Sequence, residues 1–326
     1  MIGVVGAGVT GARIVDQLCS AKEDHVLLHD VQSLVAQRLA SFRRDETTRV
    51  SVVDSHDLNV APVVILACKA PHVTLARKLL EAGVSVVSLS DDVTDVLQLL
   101  ELDQVARSKF QTLIVGAASS PGMSGLLLRH LATSFDSIDE VHVALHGTGG
   151  PDCARQHHHA LGGQSIGWHD GDWIRRPAGS GRELCWFPEP IGAYDCYRAE
   201  VADPLLLKRA APELRRVTAR VSATRRDRFT ARFPMLAPPH PEGGLGGLRI
   251  EVRGMRNGSR HAAIAGVAER VAQVAGVVAA TTARTISSGS LTTAGAFVLG
   301  EPGLPNEEIL KDVLAAGVRL HEFVGA

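Results

Sequence analysis

The stretch that decides the fold is residues 1–18, MIGVVGAGVTGARIVDQL. The apolar run at 2–5 predicts a short strand, and a helical pattern follows from about Ala12 to Leu18. Between them, a glycine-rich turn matches the G-x-G-x-x-G spacing of a phosphate-binding loop. This turn consists of Gly6, Ala7, Gly8, Val9, Thr10 and Gly11.

Each glycine of this turn has a predicted role in holding a dinucleotide. Gly6 permits the tight turn, Gly8 lets the backbone approach the pyrophosphate, and Gly11 lets the helix pack closely on the strand. Free N–H groups and the positive dipole end at the helix start favour the phosphates. Because a strand precedes the loop and a helix follows it, the motif predicts a Rossmann-type domain that binds NAD or NADP.

An acidic residue further along favours NAD. Asp30 lies nineteen residues after Gly11 and ends a second predicted strand, 26–29. A carboxylate there accepts hydrogen bonds from the adenosine ribose and repels a 2′-phosphate. Two alternatives stay open: Asp30 is a surface turn residue, or nearby basic residues accommodate NADP. Those basic residues are Arg38, Arg43 and Arg44.

The first part of the chain alternates short apolar strands with helices. The predicted strands are 50–53, 63–68, 84–90 and 111–116, and the predicted helices are 32–43, 71–82 and 93–107. This alternation is typical of parallel βαβ units. We therefore expect an α/β fold, with a doubly wound parallel sheet over residues 1–120.

The pattern changes after residue 120. The predicted strands are 141–146, 164–168, 172–176, 183–187, 194–201, 215–222 and 247–254, with helices at 121–135, 266–284 and 305–317. Asp170 and Gly171 form a hairpin turn signal between two of these strands. We expect a substrate and dimerisation domain of α+β type over 121–285 with a mixed or antiparallel sheet. The segment 286–326 then packs back on the Rossmann domain through its helix.

Composition excludes several classes of protein. The net charge is −1, and no apolar run reaches the length of a membrane span, so neither nucleic acid nor membrane is an expected partner. The five cysteines are an odd number at irregular spacing, which is typical of reduced thiols. With no basic leader at the N-terminus, the sequence predicts a cytoplasmic protein.

Three segments in order carry a family resemblance. They are the glycine-rich loop, residues 63–92, and residues 101–131 with the G-x-x-x-x-P-G-M segment from Gly116 to Met123. Over about the first 150 residues, the chain resembles saccharopine dehydrogenase-like proteins of the saccharopine reductase and carboxynorspermidine dehydrogenase type. Glucose-fructose oxidoreductase-like dehydrogenases are a neighbouring resemblance, but they carry Glu-Lys-Pro with a catalytic lysine where this chain has SLSDD at 88–92.

The resemblance implies an NAD(P)-dependent oxidoreductase. It would transfer a hydride between nicotinamide and an imine or carbonyl carbon of a small amino-acid-derived carboxylate. It also implies a homodimer formed through the second sheet. Two other functions stay open from the residues: a non-catalytic dinucleotide-binding sensor or partner protein, and a non-redox enzyme with tightly bound NAD.

Ligands of an open parallel sheet lie beyond the carboxyl ends of its strands. Ala67, Cys68 and Lys69 follow one strand there and are predicted to contact the cofactor; Lys69 is also a catalytic candidate, with a solvated lysine as the alternative. Ser119 and Ser120 follow another strand and are predicted to bind an anionic group of the substrate.

The richest polar stretch is residues 146–159, HGTGGPDCARQHHH. Histidine suits proton transfer near neutral pH, and arginine suits a bidentate carboxylate clamp. The predicted catalytic residues are Asp152, His158 and His159, and the predicted substrate-binding residues are His146 and Arg155. The alternative is a polar helix start capped by Asp152. Cys153 and His157 have metal-ligand spacing, but two ligands do not make a site, so no metal is predicted.

Overall fold

A computed structural model describes residues 1–23, 25–42 and 48–323. Up to Ala132, short strands alternate with helices. The strands are β1 (Ile2–Val5), β2 (His25–His29), β3 (Arg49–Val52), β4 (Val63–Leu66), β5 (Ser85–Ser88) and β6 (Thr112–Val115). The helices are α1 (Val9–Ser20), α2 (Ser33–Phe42), α3 (Val73–Glu81), α4 (Val93–Leu100), α5 (Asp103–Ser108) and α6 (Met123–Ala132), with a 3-10 turn at Ser55–Val60.

The remaining elements are mostly longer strands. They are β7 (Ser137–His146), β8 (Gln164–His169), β9 (Asp172–Pro177), β10 (Glu183–Phe187), β11 (Gly192–Arg198), β12 (Arg216–Ser222), β13 (Leu245–Arg256), β14 (Ser259–Arg270), β15 (Gly295–Phe297) and β16 (Leu320–Phe323). The helices are α7 (Pro151–Ala160), α8 (Asp203–Ala210), α9 (Arg225–Thr230), α10 (Val271–Ser287) and α11 (Asn306–Ala315).

The first sheet is entirely parallel. Its seven strands run in the order β15-β6-β5-β4-β1-β2-β3. Strands β4, β5 and β6 are buried along their whole length because helices such as α3 and α10 pack on them. The chain goes to one side of β1 for β2 and β3 and to the other side for β4 to β6. The switch point of the sheet therefore lies at the carboxyl ends of β1 and β4.

The second sheet is mixed. Its main path is β10-β11-β12-β7-β13-β14-β16, with β8 paired to β12 and β9 paired to β8. Strands β7 and β12 run parallel, whereas β13 and β14 form an antiparallel pair twelve residues long. Strand β15 and helix α10, which packs on α1, bring the end of the chain back to the first sheet. The predicted fold class, a doubly wound parallel sheet with a second α+β unit, is confirmed.

One long element was predicted wrongly. The sequence predicts a helix at 266–284 and no strand between residue 254 and that helix, but β14 occupies 259–270 and α10 begins only at Val271. The segment SRHAAIAGVAER is rich in alanine and lacks strict alternation, so its local preference is weak. Its strand conformation comes from pairing with β13 along its whole length, from Leu245 opposite Arg270 to Arg256 opposite Ser259.

Smaller differences concern breaks and short helices. The single helix predicted at 93–107 is two helices, α4 and α5, and the short helices α8 and α9 were not predicted. The hairpin turn is confirmed: Asp170 and Gly171 have φ values of 45° and 102° between β8 and β9. Of the arginines considered for NADP, Arg43 and Arg44 lie outside the described residues.

Candidate active site

The glycine-rich loop joins β1 to α1 at the switch point. Gly6 has a φ of 104°, and a Cβ there would lie 2.7 Å from the backbone nitrogen of Cys68. A Cβ on Gly11 would lie 1.8 Å from the Gly6 carbonyl oxygen. Both positions therefore exclude any side chain, Gly6 by its backbone angle and Gly11 by the contact of α1 with the loop.

Gly8 differs from these two glycines because nothing lies within 4 Å of the Cβ it lacks. Its backbone is extended, at φ −70° and ψ −167°, and it is the N-cap of α1. The missing side chain leaves a space in front of the first N–H groups of α1. The loop thus has a shape that accepts a phosphate, and a Cβ at Gly8 would fill that space.

Asp30 is fixed beside the loop. One carboxylate oxygen accepts a hydrogen bond of 2.7 Å from the N–H of Ala7, and the other accepts one of 2.8 Å from the N–H of Gln32. These bonds hold the carboxylate at the end of β2, next to the Gly6–Gly8 turn. Each oxygen keeps a further lone pair for a ribose hydroxyl.

A cleft opens over the carboxyl ends of the parallel strands. The first-sheet side consists of residues 8–10, 67–70, 89–91 and 118–120. The opposite side consists of residues 149–153 with Gln156 and His157, and of Val271 and Ala275 from α10. The two sides touch: a Cβ on Gly150 would lie 3.1 Å from Val9 Cγ2. The start of α7 is therefore packed directly against the glycine-rich loop.

A buried histidine on α7 faces a carboxylate from the first sheet. His157 is 8% exposed, and its Nε2 lies 3.3 Å from an oxygen of Asp91, in the loop after β5. The amide of Gln156 donates a 2.7 Å hydrogen bond to the other oxygen of Asp91 and orients it. The sulfur of Cys153, one helical turn before His157, lies 3.9 Å from the same Nε2. The Nδ1 of His157 is buried and has no hydrogen-bond partner among the described residues.

The surroundings of His157 favour its charged form. Burial alone lowers its pKa, but the neighbouring Cys153 sulfur and the Asp91 carboxylate outweigh that effect and raise the pKa well above its ordinary value. The raised pKa favours the protonated imidazolium. An imidazolium lining a cleft can donate that proton to an oxygen or nitrogen that gains charge.

Behind the cleft, a second buried carboxyl group holds the loop after β6. Asp203, at the start of α8, accepts hydrogen bonds from the hydroxyls of Ser120 at 2.5 Å and Ser124 at 2.8 Å. Burial raises the pKa of Asp203 to about 6, and the charge of Asp91 adds to this rise. Asp203 thus fixes Ser120, which together with Ser119 lines the cleft.

The loop after β4 is also held by a buried histidine. The ring nitrogens of His72 lie 2.9 Å from the Ser88 hydroxyl and 2.9 Å from the Cys68 carbonyl oxygen. The backbone N–H of His72 donates to the Asp95 carboxylate at 2.9 Å. These bonds position Ala67, Cys68 and Lys69 in the cleft wall, where Lys69 is exposed.

Several residues that the sequence singled out lie elsewhere. His158 and His159 turn away from the cleft, and their ring nitrogens lie 3.0 and 3.3 Å from the carbonyl oxygens of Thr230 and Ala231. His146 lies on the second sheet, 2.9 Å from the Ser222 hydroxyl and beside the ring of Tyr194. The structure does not bring these three histidines to the cleft.

Asp152 and Arg155 pair with each other instead of facing a ligand together. Their side chains form an exposed ion pair of 2.8 Å on the surface of α7, and only Asp152 lines the cleft. Asp152 is not the cap of this helix, because Gly150 is the N-cap and Pro151 occupies the first turn.

We did not predict the contact between His157 and Asp91 from the sequence. These two residues lie within the segments 88–92 and 146–159, but three consecutive histidines give no local sign of which one faces the cleft. A helical projection from Cys153 would have helped, since residues four apart share one face and Cys153 follows the glycines that touch the loop.

The fold also occurs in solved structures. Saccharopine dehydrogenase (L-Glu forming) from Saccharomyces cerevisiae is similar with a TM-score of 0.73 at 14% sequence identity, over 99% of each chain. A meso-DAPDH mutant with DAP from Clostridium tetani has a TM-score of 0.51 at 13% identity, over 95% of this chain and 98% of that chain. DAP dehydrogenase of C. glutamicum in complex with DAP has a TM-score of 0.50 at 14% identity, over 97% and 98%.

These similarities establish the fold, and the predicted resemblance to saccharopine dehydrogenase-like proteins is confirmed at that level. No protein-family model and no curated protein matches the sequence. None of the described helices combines the length and the apolar composition needed to cross a membrane.

Proposed function

We propose that the protein is an NAD(P)-dependent oxidoreductase that acts on a carbonyl or imine of a small amino-acid-derived carboxylate. The observation that carries this proposal is the cleft itself. The open space in front of Gly8 can accept a phosphate, and the buried His157 lines the same cleft from α7. The structural similarity to saccharopine dehydrogenase supports the same reaction class.

Different groups of residues around the cleft have different proposed roles. Residues Gly6 to Gly11 would hold the pyrophosphate, and Asp30 would hold the adenosine ribose. Ala67, Cys68 and Lys69 line the path from that loop towards α7. When bound, the nicotinamide supplies a hydride to the electrophilic carbon, or accepts one from it.

His157 would be both the proton donor and the proton acceptor of the reaction. In the reductive direction it donates a proton to the substrate oxygen or nitrogen, and in the oxidative direction it accepts that proton. Asp91 keeps the imidazolium charged and oriented, and Gln156 keeps Asp91 in place. Ser119 and Ser120 are proposed to bind the substrate carboxylate, as the sequence predicts.

The preferred cofactor is proposed to be NAD. The Asp30 carboxylate is fixed by two backbone N–H groups, so it cannot turn away from a 2′-phosphate without losing both bonds. We also propose a cytoplasmic homodimer, on the basis of the composition and the second sheet.

The test is a turnover screen. NADH or NADPH oxidation is followed by absorbance with 2-oxo acids, alone and with amino-acid amine donors. We expect turnover with the wild-type protein, and a large loss in a His157→Gln variant that still binds the nucleotide. Binding of neither nucleotide by folded wild-type protein would overturn the proposal.

A further inference from the structure

Four arginines lie close together on the second sheet, outside the cleft. Arg198 is the last residue of β11 and lies directly opposite Arg220 of β12. Arg216 also belongs to β12, at an even spacing from Arg220, so its side chain leaves the strand on the same face. Arg176, near the end of β9, is close enough for its charge to act on Arg198. None of the four lines the cleft.

This arrangement is electrostatically unfavourable for the protein alone. Like charges that lie directly opposite on neighbouring antiparallel strands repel each other, as Arg198 and Arg220 do. Burial lowers the pKa of Arg198, and the charges of the other three arginines lower it further. The charge of Glu183 acts in the opposite direction. In the described part of the chain, three positive charges therefore act on Arg198 against one negative charge.

The carboxylates near the arginines already have other partners. An oxygen of Glu183 accepts a 3.0 Å contact from Nη2 of Arg220. Glu140 lies opposite Arg216 on β7, but its carboxylate contacts Arg260 at 3.0 Å. Among the described residues, no carboxylate forms an ion pair with Arg216 or with Arg198. The positive charge of these two side chains is thus not neutralised within the protein.

Arg198 has the fewest contacts for its position. Its guanidinium donates one long hydrogen bond, from Nη1 to the Ser180 hydroxyl at 3.4 Å. The loop after β9 packs against the same nitrogen, since a Cβ on Gly181 would lie 1.9 Å from it. The side chain is half-buried, yet most of its five N–H donors remain available. Buried charge of this kind is normally paired, so an anion is the missing partner.

We propose that this arginine cluster, Arg176, Arg198, Arg216 and Arg220, binds a small ligand that carries several anionic phosphate or carboxylate groups. Guanidinium groups pair with the oxygens of both kinds of group through parallel hydrogen bonds. A bound anion would also offset the repulsion between Arg198 and Arg220. Because Arg176 and Arg216 are exposed, the ligand can reach the cluster from solvent. This site is separate from the glycine-rich loop and does not rest on the proposed function.

The surroundings of the arginine cluster favour a small ligand over a nucleic acid. Nucleic-acid surfaces carry rows of basic residues that follow the phosphate backbone. Next to the cluster, the same face of the second sheet carries Glu140 and Glu251, and arginines on that face pair with both. The excess positive charge therefore ends there, and the chain as a whole has a net charge of −1.

The first experiment is calorimetric titration of pyrophosphate and of citrate into the whole protein. We expect the wild type to bind at least one of them, and Arg198→Gln to weaken that binding by about ten-fold or more. The matched control is Arg260→Gln, on the same sheet, because Arg260 is already paired with Asp139 and Glu140 and its loss should change the affinity less than about two-fold. Gly8→Val shows what the glycine-rich loop contributes, and it should keep the binding that depends on Arg198.

The second experiment is thermal unfolding of Arg198→Gln without added anion. Since the substitution removes a repulsion and a single long hydrogen bond, its Tm should equal or exceed that of the wild type. Binding of pyrophosphate alone would assign a phosphorylated ligand, and binding of citrate alone a polycarboxylate; both results support the site. Three results would overturn it: binding of neither anion by the wild type, equal binding by Arg198→Gln, or complete loss of binding in folded Gly8→Val. A lower Tm of Arg198→Gln would also overturn it, because contacts within the chain would then account for this arginine.

Discussion

The two walls of the cleft are built on different physical principles. The loop wall, residues 6–11, works through its backbone: its glycines remove side chains, and Gly8 leaves a space in front of the first N–H groups of α1. The α7 wall, residues 149–153 with Gln156 and His157, works through side chains: burial lowers the pKa of His157, and Cys153 and Asp91 raise it. Asp91 lies sixty-six residues away from His157 in the chain. In the proposed function, dinucleotide binding therefore rests on a local stretch of sequence, whereas proton transfer depends on two distant parts of the chain meeting.

This difference implies that binding and turnover can be separated by mutation. Changes in the loop wall should affect nucleotide affinity or folding, and changes in the α7 wall should affect turnover alone.

The largest effect is expected at the α7 wall. Replacing His157 with Gln removes the proton donor, so kcat of the reductive reaction should fall by about 10²- to 10⁴-fold. Nucleotide affinity, measured by calorimetry, should change less than about two-fold, because the loop wall is untouched. The raised pKa of His157 also predicts that the wild-type kcat falls with rising pH only above the pH at which an ordinary histidine loses its proton. Equal losses of nucleotide affinity and of kcat in His157→Gln would contradict the separation of binding from turnover.

The next effect is on stability at the loop wall. A Gly11→Ala variant places a Cβ 1.8 Å from the Gly6 carbonyl oxygen, so α1 must shift. We expect a loss of about 3 kcal/mol in the free energy of unfolding, measured with urea. Gly8→Ala is the control, since its Cβ meets nothing within 4 Å, and it should unfold like the wild type. Equal destabilisation by both variants would contradict the geometry of the loop.

The third effect is a dependence of the free energy of unfolding on pH, caused by Asp203. Its pKa is raised to about 6 in the folded protein from 3.8, so the folded state binds this proton more tightly than the unfolded state. Stability is therefore lost as the pH rises between these two values, and the full cost, no more than about 3 kcal/mol, applies above pH 6. Asp203→Asn should gain stability relative to the wild type at pH 8 compared with pH 4.5, measured by urea unfolding. A difference that does not vary with pH would refute the raised pKa.

A smaller effect is expected at Asp30. Asp30→Asn keeps an acceptor for the N–H of Ala7 but removes the charge that repels a 2′-phosphate. The ratio of the Kd values for NADPH and NADH should shift towards NADPH by about ten-fold, or about 1.4 kcal/mol. An unchanged ratio of the two Kd values would mean that Asp30 does not discriminate between a ribose hydroxyl and a 2′-phosphate.

The smallest effect is expected for Arg155→Ala. Its ion pair with Asp152 is more than half exposed on the arginine side, so its loss should change the free energy of unfolding by no more than about 0.5 kcal/mol. Because Arg155 does not line the cleft, KM should stay the same. A large rise in KM would instead support the sequence-based prediction that Arg155 binds the substrate carboxylate.

The features that could be predicted from the sequence are those set by local residues, and the features that could not are those set by long-range contacts. The Gly6–Gly11 loop, Asp30 and the parallel strands are set by neighbouring residues, so pattern and spacing predict them. Strand β14 takes its conformation from β13, and the choice of His157 over His158 depends on how α7 packs against the glycine-rich loop. Such long-range contacts leave no local pattern in the sequence.

Calorimetric titration tests most directly whether this cleft binds a nicotinamide dinucleotide through the loop wall. NADH and NADPH are titrated into the wild type, Gly8→Val and His157→Gln, each checked for folding by thermal unfolding. We expect binding to the wild type and to His157→Gln, with NADH preferred, and loss of binding in folded Gly8→Val. Undiminished binding by Gly8→Val, or no binding of either nucleotide by the wild type, would contradict dinucleotide binding through this loop.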